Sequence, residues 1–540
     1  MNHSFRILIA AVTLLIAGFA LFFQLGHYSL WDDEAATAIH AKGILATGDT
    51  STIVGHNLYA YRNGVVLKNL RDRVTPPLSS YLAAGAMALF GDSPAAVRFP
   101  FALFGLATVA LMLWWLHRDD ASRTMWLLTC IAILCNVSLY LFSRNCRYYG
   151  PVLFTSTALA YLYLHWRGTA WQRLLWVLVS LVLLASNYIN FIAIYLCLVA
   201  DYLVFARGRI TISKADFAWT IPPVAALGGV IVSIWNPLTT EFAANRAPSP
   251  LGEKLTLLWW NLRDTNANEF YAAGVLLIGA VIAWRMKDGW LRRALLAFAV
   301  LFVGTTIFSP QSIQDTNASD IRYCLPLIPL GIFIGARTLA FLGANMPGQI
   351  LMLGSAVFFT NVLNGGMFLP TGFHSGIVLF YQELFRKPED PYAVASAWIN
   401  SHLKEGESIY VMPSYMTGPL IYHAPKAVYA WQLDRPAEGQ FKDLAPINFA
   451  YEEDPDYLLV FGPRNLPLMK KKISARKQEK SRYLQIEALT AYSRDLYRPE
   501  IFLRNFGREP GDDGAWGIIV YKRMPRLPDE LKESLIAPKP

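Results

Sequence analysis

The chain has 540 residues, of which 54% are hydrophobic and 16% charged, and its formal net charge is +9 at pH 7. Soluble domains carry about a quarter charged residues, so this composition excludes an ordinary soluble protein and indicates a membrane protein. The basic excess does not indicate nucleic-acid binding, because Lys and Arg fall mostly in short loops between apolar runs, where they set topology. The five cysteines show no metal-ligand spacing and predict small buried side chains.

Repeated apolar runs in the sequence are long enough to cross a bilayer. The first, residues 5–26, is too long for a signal peptide and lacks a small-residue cleavage site, so it predicts a retained anchor. Arg6 precedes it, which favours a cytoplasmic N-terminus. Crossings of about 20 residues each predict a mainly α, polytopic protein with about 11 to 13 transmembrane helices. The further runs are 98–117, 124–142, 148–166, 172–188, 190–206, 216–236, 271–285, 291–308, 323–343 and 348–369.

The apolar stretch 76–90 is short, with about fifteen residues against the ~20 that a crossing needs. If it crossed alone, the Arg- and Lys-rich loops would face outward, against the positive-inside rule. We therefore predict a short helix, or a shallow re-entrant one, at the outer interface. The loop 27–97, the segments 143–150 and 309–323, and everything after about residue 370 then share the outer side.

Composition changes near residue 380, where one helical pattern and several β-rich runs replace the long apolar segments. This predicts an extracytoplasmic α/β domain over 380–540, which follows a membrane domain over 1–375 with the large outer loop 27–97. The basic run 468–482 predicts a solvated helix face, and docking on anionic lipid headgroups is the alternative.

Three acidic residues, Asp32, Asp33 and Glu34, follow the first apolar run within "SLWDDEAATA". Charges at a membrane boundary are costly and tend to be functional. A carboxylate at such a boundary can have a raised pKa and act as a general base. The alternative is structural, with Asp32 or Asp33 capping a helix that begins near Ala35.

Arginines stand at the outer ends of later spans, where the topology rule gives no reason for them. Arg144 and Arg147 lie in "SRNCRYYG", and Arg322 begins a late span. A guanidinium group suits bidentate binding of a phosphate, whereas snorkelling to lipid headgroups is the structural alternative. Together with the acids on the same side, these residues suit an enzyme that takes an anionic lipid headgroup and transfers something from it.

These motifs resemble the GT-C glycosyltransferases related to protein O-mannosyltransferases and to the aminoarabinose transferase that modifies lipid A. The segment "LWDDEAATAIHAKGILATGD" is similar to the family's first-loop motif, with its Asp-Glu pair at Asp33 and Glu34. The segment 75–105 is similar to its Pro-Pro-Leu stretch, ending in an Arg at Arg98. "SRNCRYYGPVLF" and "RYCLPLIPL" resemble its later junctions. The resemblance covers about residues 1–370 and implies a GT-C-like membrane domain.

Two departures from the family pattern concern the donor phosphate. Thr75 stands where lipid A aminoarabinose transferases have a Lys, and Ala35 and Ala36 stand where an Arg follows the acidic pair. The resemblance therefore does not imply lipid A as the acceptor. The phosphate role falls on Arg147, with Arg73, Arg144 and Arg322 as further candidates. The other residues expected to line the site are Tyr148, Tyr149, Tyr323, Thr75 and Arg98.

The resemblance implies inverting transfer of a sugar from a polyprenyl-phosphate donor to an extracytoplasmic acceptor. We expect Asp33 to take the proton of the acceptor hydroxyl, Glu34 to orient the acceptor or share that role, and Asp32 to cap the helix. No obligatory cofactor or metal is implied, and a bound divalent cation is the alternative use of the acids. Loop 49–75 is expected to cover the site.

We expect a bacterial inner-membrane protein whose partners are membrane lipids, the lipid-linked donor, and a lipid, glycan or protein acceptor. The sequence patterns leave the sugar and the oligomeric state open. A glycan polymerase or ligase that uses a lipid-diphosphate donor is an alternative, as is a transporter of a lipid-linked glycan. A transporter would carry ionisable residues within its spans and related halves, which this sequence does not show. A non-catalytic scaffold would not need the junction arginines.

Overall fold

The structure is a computed structural model that describes residues 3–207, 210, 212–241, 250–269, 273–313, 321–343, 346–358, 380–382, 384–385, 390–462, 465–474, 482–491 and 517–524. The predicted boundary between the two domains, at 375–380, falls largely outside the described residues. Elements are numbered in chain order among the described residues.

The part of the chain up to residue 358 is helical. Its apolar runs form helices because every backbone N–H and C=O group within an apolar environment must be satisfied inside the segment itself. Helices α1 to α15 are His3–Phe22, Asp32–Thr47, Leu78–Phe90, Pro94–Arg118, Arg123–Cys135, Val137–Ser143, Tyr149–Leu164, Ala170–Ser186, Tyr188–Asp201, Lys214–Ile234, Leu251–Asn268, Ala273–Arg285, Gly289–Phe308, Leu327–Leu342 and Met346–Phe358.

Each apolar run predicted as a crossing falls on one of these helices, except 124–142, which falls on α5 and α6, and residues 271–272 and 359–369 lie outside the described part. By length and composition, five helices in the described part of the chain are long and apolar enough to cross a membrane, and a bent pair makes a sixth. Other predicted crossings are shorter helices, such as Ala273–Arg285. The multi-pass architecture is therefore confirmed, whereas the predicted number of crossings and their orientation stay predictions.

The bent pair is α5 and α6, which meet at 54°. Asn136 ends the first helix and caps the second, because its Oδ1 accepts a hydrogen bond from the Leu139 N–H at 2.8 Å. Its Nδ2 donates to the buried carboxylate of Glu269 at 2.8 Å, and the Ser138 hydroxyl donates to the same group. Burial raises the pKa of Glu269 to about 7. The bend therefore has a local cause and brings the residues after Ser143 to the end of α1.

The stretch 76–90, predicted as a short helix, forms α3, which packs between α2 and α4. Loop 49–75 contains two small antiparallel hairpins. One pairs β1 (Ile53–Val54) with β2 (Asn57–Leu58), and the other pairs β3 (Leu67–Lys68) with β4 (Arg71–Asp72).

The C-terminal part forms the predicted α/β arrangement around a five-stranded sheet in the order β6-β5-β7-β9-β8. Strand β5 runs parallel to β6 and β7, whereas β9 runs antiparallel to β7 and β8. The strands are β5 Ser408–Met412, β6 Val428–Tyr429, β7 Tyr457–Phe461, β8 Arg482–Leu489 and β9 Ile518–Met524. The accompanying helices are α16 Pro391–His402, α17 Thr417–His423 and α18 Leu466–Ser474.

Helix α18 covers the described half of the basic run 468–482. Lys470 and Lys471 are exposed on it, in agreement with a solvated face. Lys472 instead reaches back to its own domain, where its Nζ lies 2.8 Å from Asp434 Oδ1 and over the Tyr410 ring.

Candidate active site

The acidic triplet forms the first turn of α2, which begins at Asp32 rather than near Ala35. The N-cap residue is Trp31, whose side chain caps no N–H group, and its indole Nε1 instead donates to Asn145 Oδ1 at 2.6 Å. The predicted capping by Asp32 is therefore wrong in position, although its Oδ1 does accept the Asp33 N–H at 2.7 Å. Three carboxylates in a first turn lie at the positive end of the helix dipole, which favours their charged forms.

The Asp33 carboxylate lies between two arginines that come from distant parts of the chain. Arg322 Nη1 donates to Asp33 Oδ2, and Arg147 Nη2 lies 3.7 Å from the same oxygen. Arg147 Nη1 also donates to the Asp33 carbonyl at 3.1 Å and to the Thr37 hydroxyl at 3.2 Å. The side chains of Asp33, Arg147 and Arg322 are 18%, 14% and 21% exposed, so the cluster is sheltered and still reached by solvent.

The electrostatic surroundings keep the Arg147 guanidinium group of this cluster charged. Burial, the largest single effect, lowers the pKa of Arg147, but the charges of Asp33, Tyr149 and Tyr148 together outweigh it, so the pKa is raised. Aromatic rings flank the two guanidinium groups. Arg147 lies 5.9 Å from the Tyr148 ring centre, and Arg322 lies 5.6 Å from that of Tyr323. The arrangement places one carboxylate beside two guanidinium groups. The guanidinium groups can bind an anion, and the carboxylate next to them can accept a proton.

Glu34 is fully buried and points away from this cluster. Its Oε1 accepts hydrogen bonds from Arg98 Nε and from the Cys146 N–H, both at 2.8 Å, and its Oε2 accepts one from Arg98 Nη2 at 2.5 Å. Arg98 further donates to the carbonyls of Leu25, Tyr28 and Ser29 at 2.8–3.0 Å. We call this pair the Glu34–Arg98 hub, and it joins α2, α4 and the end of α1. Its contacts are structural, whereas the sequence predicted that Glu34 would orient the acceptor.

Two other predicted phosphate-binding residues, Arg144 and Arg73, and the predicted site-lining residue Thr75 are engaged elsewhere. Arg144 donates to the carbonyls of Ala20, Leu21, Phe23 and Gln24 at 2.9–3.1 Å, which satisfies the free carbonyls at the end of α1. Arg73 binds Asp49 through two hydrogen bonds of 2.6 and 2.8 Å. The Thr75 hydroxyl donates to Asp72 Oδ2 at 2.8 Å.

The Arg73 contact has an electrostatic consequence in loop 49–75. Hydrogen bonding by Arg73 lowers the pKa of Asp49 to about 2, so this carboxylate stays ionised at neutral pH. Tyr149, also predicted to line the site, is fully buried and packs edge-on against Tyr148 and Phe142. The structure therefore brings together Asp33, Arg147, Arg322, Tyr148 and Tyr323, whereas Arg73, Arg98, Arg144 and Thr75 bond to other groups.

Sequence reasoning missed His40, Tyr59 and Asp72, which lie next to this cluster. His40 Nε2 lies 3.7 Å from Asp72 Oδ2, and its ring centre lies 6.4 Å from that of Tyr59. Burial lowers the pKa of His40, and raises that of Tyr59 with help from the Asp32 and Asp33 charges. His40 follows Asp33 by seven residues on one helix, so its position on the same helical face was readable from spacing.

The C-terminal domain packs directly behind the acidic turn. The His423 imidazole Nε2 accepts the Leu30 N–H at 3.0 Å, and Asp390 Oδ2 accepts the Ser29 N–H at 2.8 Å. A Cβ on Gly418 of α17 would come within 2.8 Å of the Tyr59 ring, so glycine permits this close packing. The domain therefore positions the segment that leads into α2.

Within the described ranges, no group of three or more His, Cys, Asp or Glu side chains is arranged to hold a metal ion. Metal independence of the protein remains a prediction.

Comparison with solved structures identifies the fold. The chain is similar to ArnT from Cupriavidus metallidurans bound to undecaprenyl phosphate, with 13% identity, 96% of this chain and 98% of that chain covered, and a TM-score of 0.54. It is also similar to the Archaeoglobus fulgidus oligosaccharyltransferase in its apo form, with 10% identity, 85% and 70% coverage, and a TM-score of 0.52. No protein-family model and no curated protein matches the sequence.

The fold and the apolar helices together show that the molecule is a multi-pass membrane protein. Its particular architecture is the GT-C fold, shared with these glycosyltransferases, which confirms the resemblance inferred from the sequence motifs at the level of fold.

Proposed function

We propose that this protein is a membrane glycosyltransferase that moves a sugar from a polyprenyl-phosphate donor to an acceptor hydroxyl, with inversion at C1. The observation that carries the proposal is the cluster of Asp33 with Arg147 and Arg322 at the start of α2. The bound undecaprenyl phosphate of the C. metallidurans ArnT structure supports a lipid phosphate as the anionic ligand.

In this proposal Arg147 and Arg322 bind the donor phosphate. Departure of the phosphate returns negative charge to its oxygens as the bond from sugar C1 to oxygen breaks, and fixed guanidinium groups stabilise that charge. Both arginines already lie against one carboxylate, so their donors converge on an oxyanion. Arg73 and Arg144 are committed to Asp49 and to the α1 carbonyls, so we do not assign them to the phosphate.

Asp33 acts as the general base in the same step. The acceptor oxygen attacks C1 from the face opposite the phosphate, forms the new C–O bond, and gives its proton to Asp33. Arg322 donates to Asp33 in the structure, and a phosphate competes for the same guanidinium. Donor binding therefore weakens the hold of Arg322 on Asp33 and makes the carboxylate a better base, which favours donor binding before acceptor attack.

Glu34 takes a positioning role in this mechanism rather than the shared base role predicted from the sequence. Its bonds to Arg98 and to the Cys146 N–H fix the turn that carries Asp33 and the segment that carries Arg147. The proposal places the reaction at the extracytoplasmic face of a bacterial inner membrane, with a lipid, glycan or protein as acceptor and no obligatory metal.

A transfer assay with purified protein tests the proposal. Radiolabelled sugars on polyprenyl phosphate are supplied with a membrane extract as acceptor, and wild type is compared with Asp33→Asn and Arg147→Ala. Asp32→Asn is the matched control, since it removes one charge from the same turn and keeps an acceptor for the Asp33 N–H. We expect label in the acceptor fraction for wild type and for the control only.

Comparing lipid monophosphate and lipid diphosphate donors in this assay distinguishes the proposal from the alternative functions. Consumption of a sugar on lipid diphosphate, but not on lipid monophosphate, would replace the proposal with a polymerase or ligase. Translocation of the lipid-linked sugar without bond cleavage would indicate a transporter. Full activity of Asp33→Asn would remove the assigned base.

A further inference from the structure

Two buried polar side chains beside the candidate active site form no hydrogen bond with any residue that the structure describes. His40 on α2 is 4% exposed, and Tyr59 in loop 49–75 is 5% exposed. Their ring centres lie 6.4 Å apart, and His40 Nε2 lies 3.7 Å from Asp72 Oδ2, which is beyond hydrogen-bond distance. Buried polar groups of proteins are satisfied by protein, water or a ligand. Two such groups next to an active site therefore indicate a place where substrate binds.

Helix α2 places His40 on the face that carries the catalytic cluster. Asp33, Thr37 and His40 follow one another at intervals of four and three residues, which is the spacing of a single helical face. The Arg147 guanidinium lies along this face, because its Nη1 donates to the Asp33 carbonyl and to the Thr37 hydroxyl. Burial lowers the pKa of His40, and the Arg147 charge adds to that effect. His40 therefore presents a neutral imidazole next to Arg147.

The C-terminal domain fixes the position of Tyr59. Asn57, two residues earlier, binds the backbone of that domain, since its Oδ1 accepts the Tyr429 N–H and its Nδ2 donates to the Ala427 carbonyl, both at 2.9 Å. The Tyr59 ring itself packs against Gly418 of α17, where a Cβ would come within 2.8 Å of the ring. The phenol is therefore held beside α2 by contacts from a second domain.

The two side chains offer neutral hydrogen-bonding groups. Burial raises the pKa of Tyr59, and acidic groups around it, including Asp33, add to that effect, so the phenol keeps its proton. Asp72 already accepts three hydrogen bonds within its own turn, from the Val74 N–H and from the N–H and hydroxyl of Thr75. With a guanidinium as the neighbouring charge, a neutral imidazole and a neutral phenol suit hydroxyl groups better than an ammonium group.

We propose that His40 and Tyr59 select the sugar that is transferred, each through a hydrogen bond to a different hydroxyl group of its ring. The inference rests on the proposed function, in which Arg147 holds the donor phosphate and Asp33 lies at the reacting carbon. The sugar ring extends from that carbon along the face of α2 and lies between the imidazole and the phenol. The two residues thereby favour an uncharged sugar over an amino sugar.

Kinetics of the full-length protein with a panel of polyprenyl-phosphate donors test this inference. The panel contains uncharged hexoses, their monodeoxy analogues and an amino sugar, and kcat/KM is measured for each donor. Loss of the hydroxyl that binds Tyr59 should cost wild type about tenfold, the loss expected for one hydrogen bond. Tyr59→Phe lacks the partner group, so it should use that deoxy analogue and the parent sugar equally well. His40→Leu should lose discrimination at a different hydroxyl.

Tyr81→Phe is the matched control, because it removes the same group from a tyrosine of α3 whose hydroxyl donates to the Gly48 carbonyl at 3.2 Å. It should discriminate between donors as wild type does, and the melting temperature of each variant verifies folding. Tyr59→Phe keeps the ring that packs against Gly418, so it should fold.

The outcomes separate this inference from the proposed function. If wild type transfers sugar and both Tyr59→Phe and His40→Leu discriminate as wild type does, the pair binds water only, and the inference is overturned while the proposed function stands. A change confined to the acceptor KM would assign the pair to the acceptor, and a preference of wild type for the amino sugar would overturn selection of an uncharged sugar. Failure of wild type with every donor would reject the proposed function and this inference with it.

Discussion

Asp33 and Glu34 are adjacent in sequence and have opposite surroundings. Glu34 is fully buried, and three hydrogen bonds from Arg98 and the Cys146 N–H occupy both carboxylate oxygens. Asp33 is 18% exposed, and Arg147 and Arg322 both lie against its Oδ2. A buried, fully bonded ion pair stabilises geometry and has no capacity left for a ligand. A partly exposed carboxylate between two cations keeps that capacity, so the comparison separates a structural acid from a chemical one.

The largest expected effect is on turnover at Asp33. Asp33→Asn removes the proton acceptor while it keeps the size of the side chain, so transfer should fall about a thousandfold. The melting temperature should change little, because the carboxylate is partly exposed and Arg147 keeps its bonds to the Asp33 carbonyl and Thr37. The transfer assay and scanning fluorimetry on one preparation measure both quantities. Loss of folding in Asp33→Asn would make Asp33 a structural acid like Glu34.

The opposite pattern is expected for the Glu34–Arg98 hub, where substitution should mainly lower stability. Glu34→Gln leaves the Arg98 guanidinium buried without its counter-charge, which should lower the free energy of unfolding by about 3 kcal/mol. The double variant Glu34→Gln/Arg98→Met removes the unpaired charge and should recover part of that loss. A single variant as stable as wild type would show that the hub does not hold the acidic turn in place.

A smaller effect on transfer is expected from the arginines. Arg322→Lys keeps one positive charge but loses the planar set of donors, so transfer should fall about ten- to a hundredfold, mainly through weaker use of the donor. Arg144→Lys is the comparison variant, since its contacts are α1 carbonyls. It should affect melting temperature more than transfer. If the two variants lost transfer equally at unchanged stability, Arg144 would have to join the phosphate site.

Much of this arrangement followed from sequence spacing and charge. Asp33, Arg147 and Arg322 were singled out because each stands at a span end on one predicted side, and the structure brings them together. The roles of Glu34 and Arg144 could not be predicted in the same way. The bonds between Glu34 and Arg98 join residues 64 positions apart, and those of Arg144 depend on where α1 ends. Such pairings are set by tertiary packing rather than local pattern.

Helix ends and loop contacts were likewise not predictable from local sequence pattern. Apolar composition located the helices but not their ends, and the described part of α12 spans 13 residues where a crossing needs about 20. Arg73 is a candidate for the phosphate in the sequence because it lies two residues before Thr75, where related transferases have a Lys. The hairpins of loop 49–75 place it beside Asp49, which no linear motif indicates.

The smallest expected effect concerns the support that the C-terminal domain gives to the acidic turn. Burial lowers the pKa of His423 to about 4, and its neutral ring accepts the Leu30 N–H. A lowered folded-state pKa means that the unfolded chain binds more protons between that value and the ordinary value near 6.5. Stability should therefore fall as pH drops below about 6.5, by about 2 kcal/mol at pH 5.

His423→Gln is the matched variant for this pH dependence, because a Gln side chain offers an acceptor for the Leu30 N–H and does not titrate. Other buried groups such as Glu269 titrate in both proteins, so the difference between wild type and variant isolates His423. We expect the two unfolding free energies to differ less at pH 8 than at pH 5, with the variant the less pH-sensitive protein. Parallel curves from pH 8 to pH 5 would mean that His423 does not carry the contact between the domain and the turn that holds Asp33.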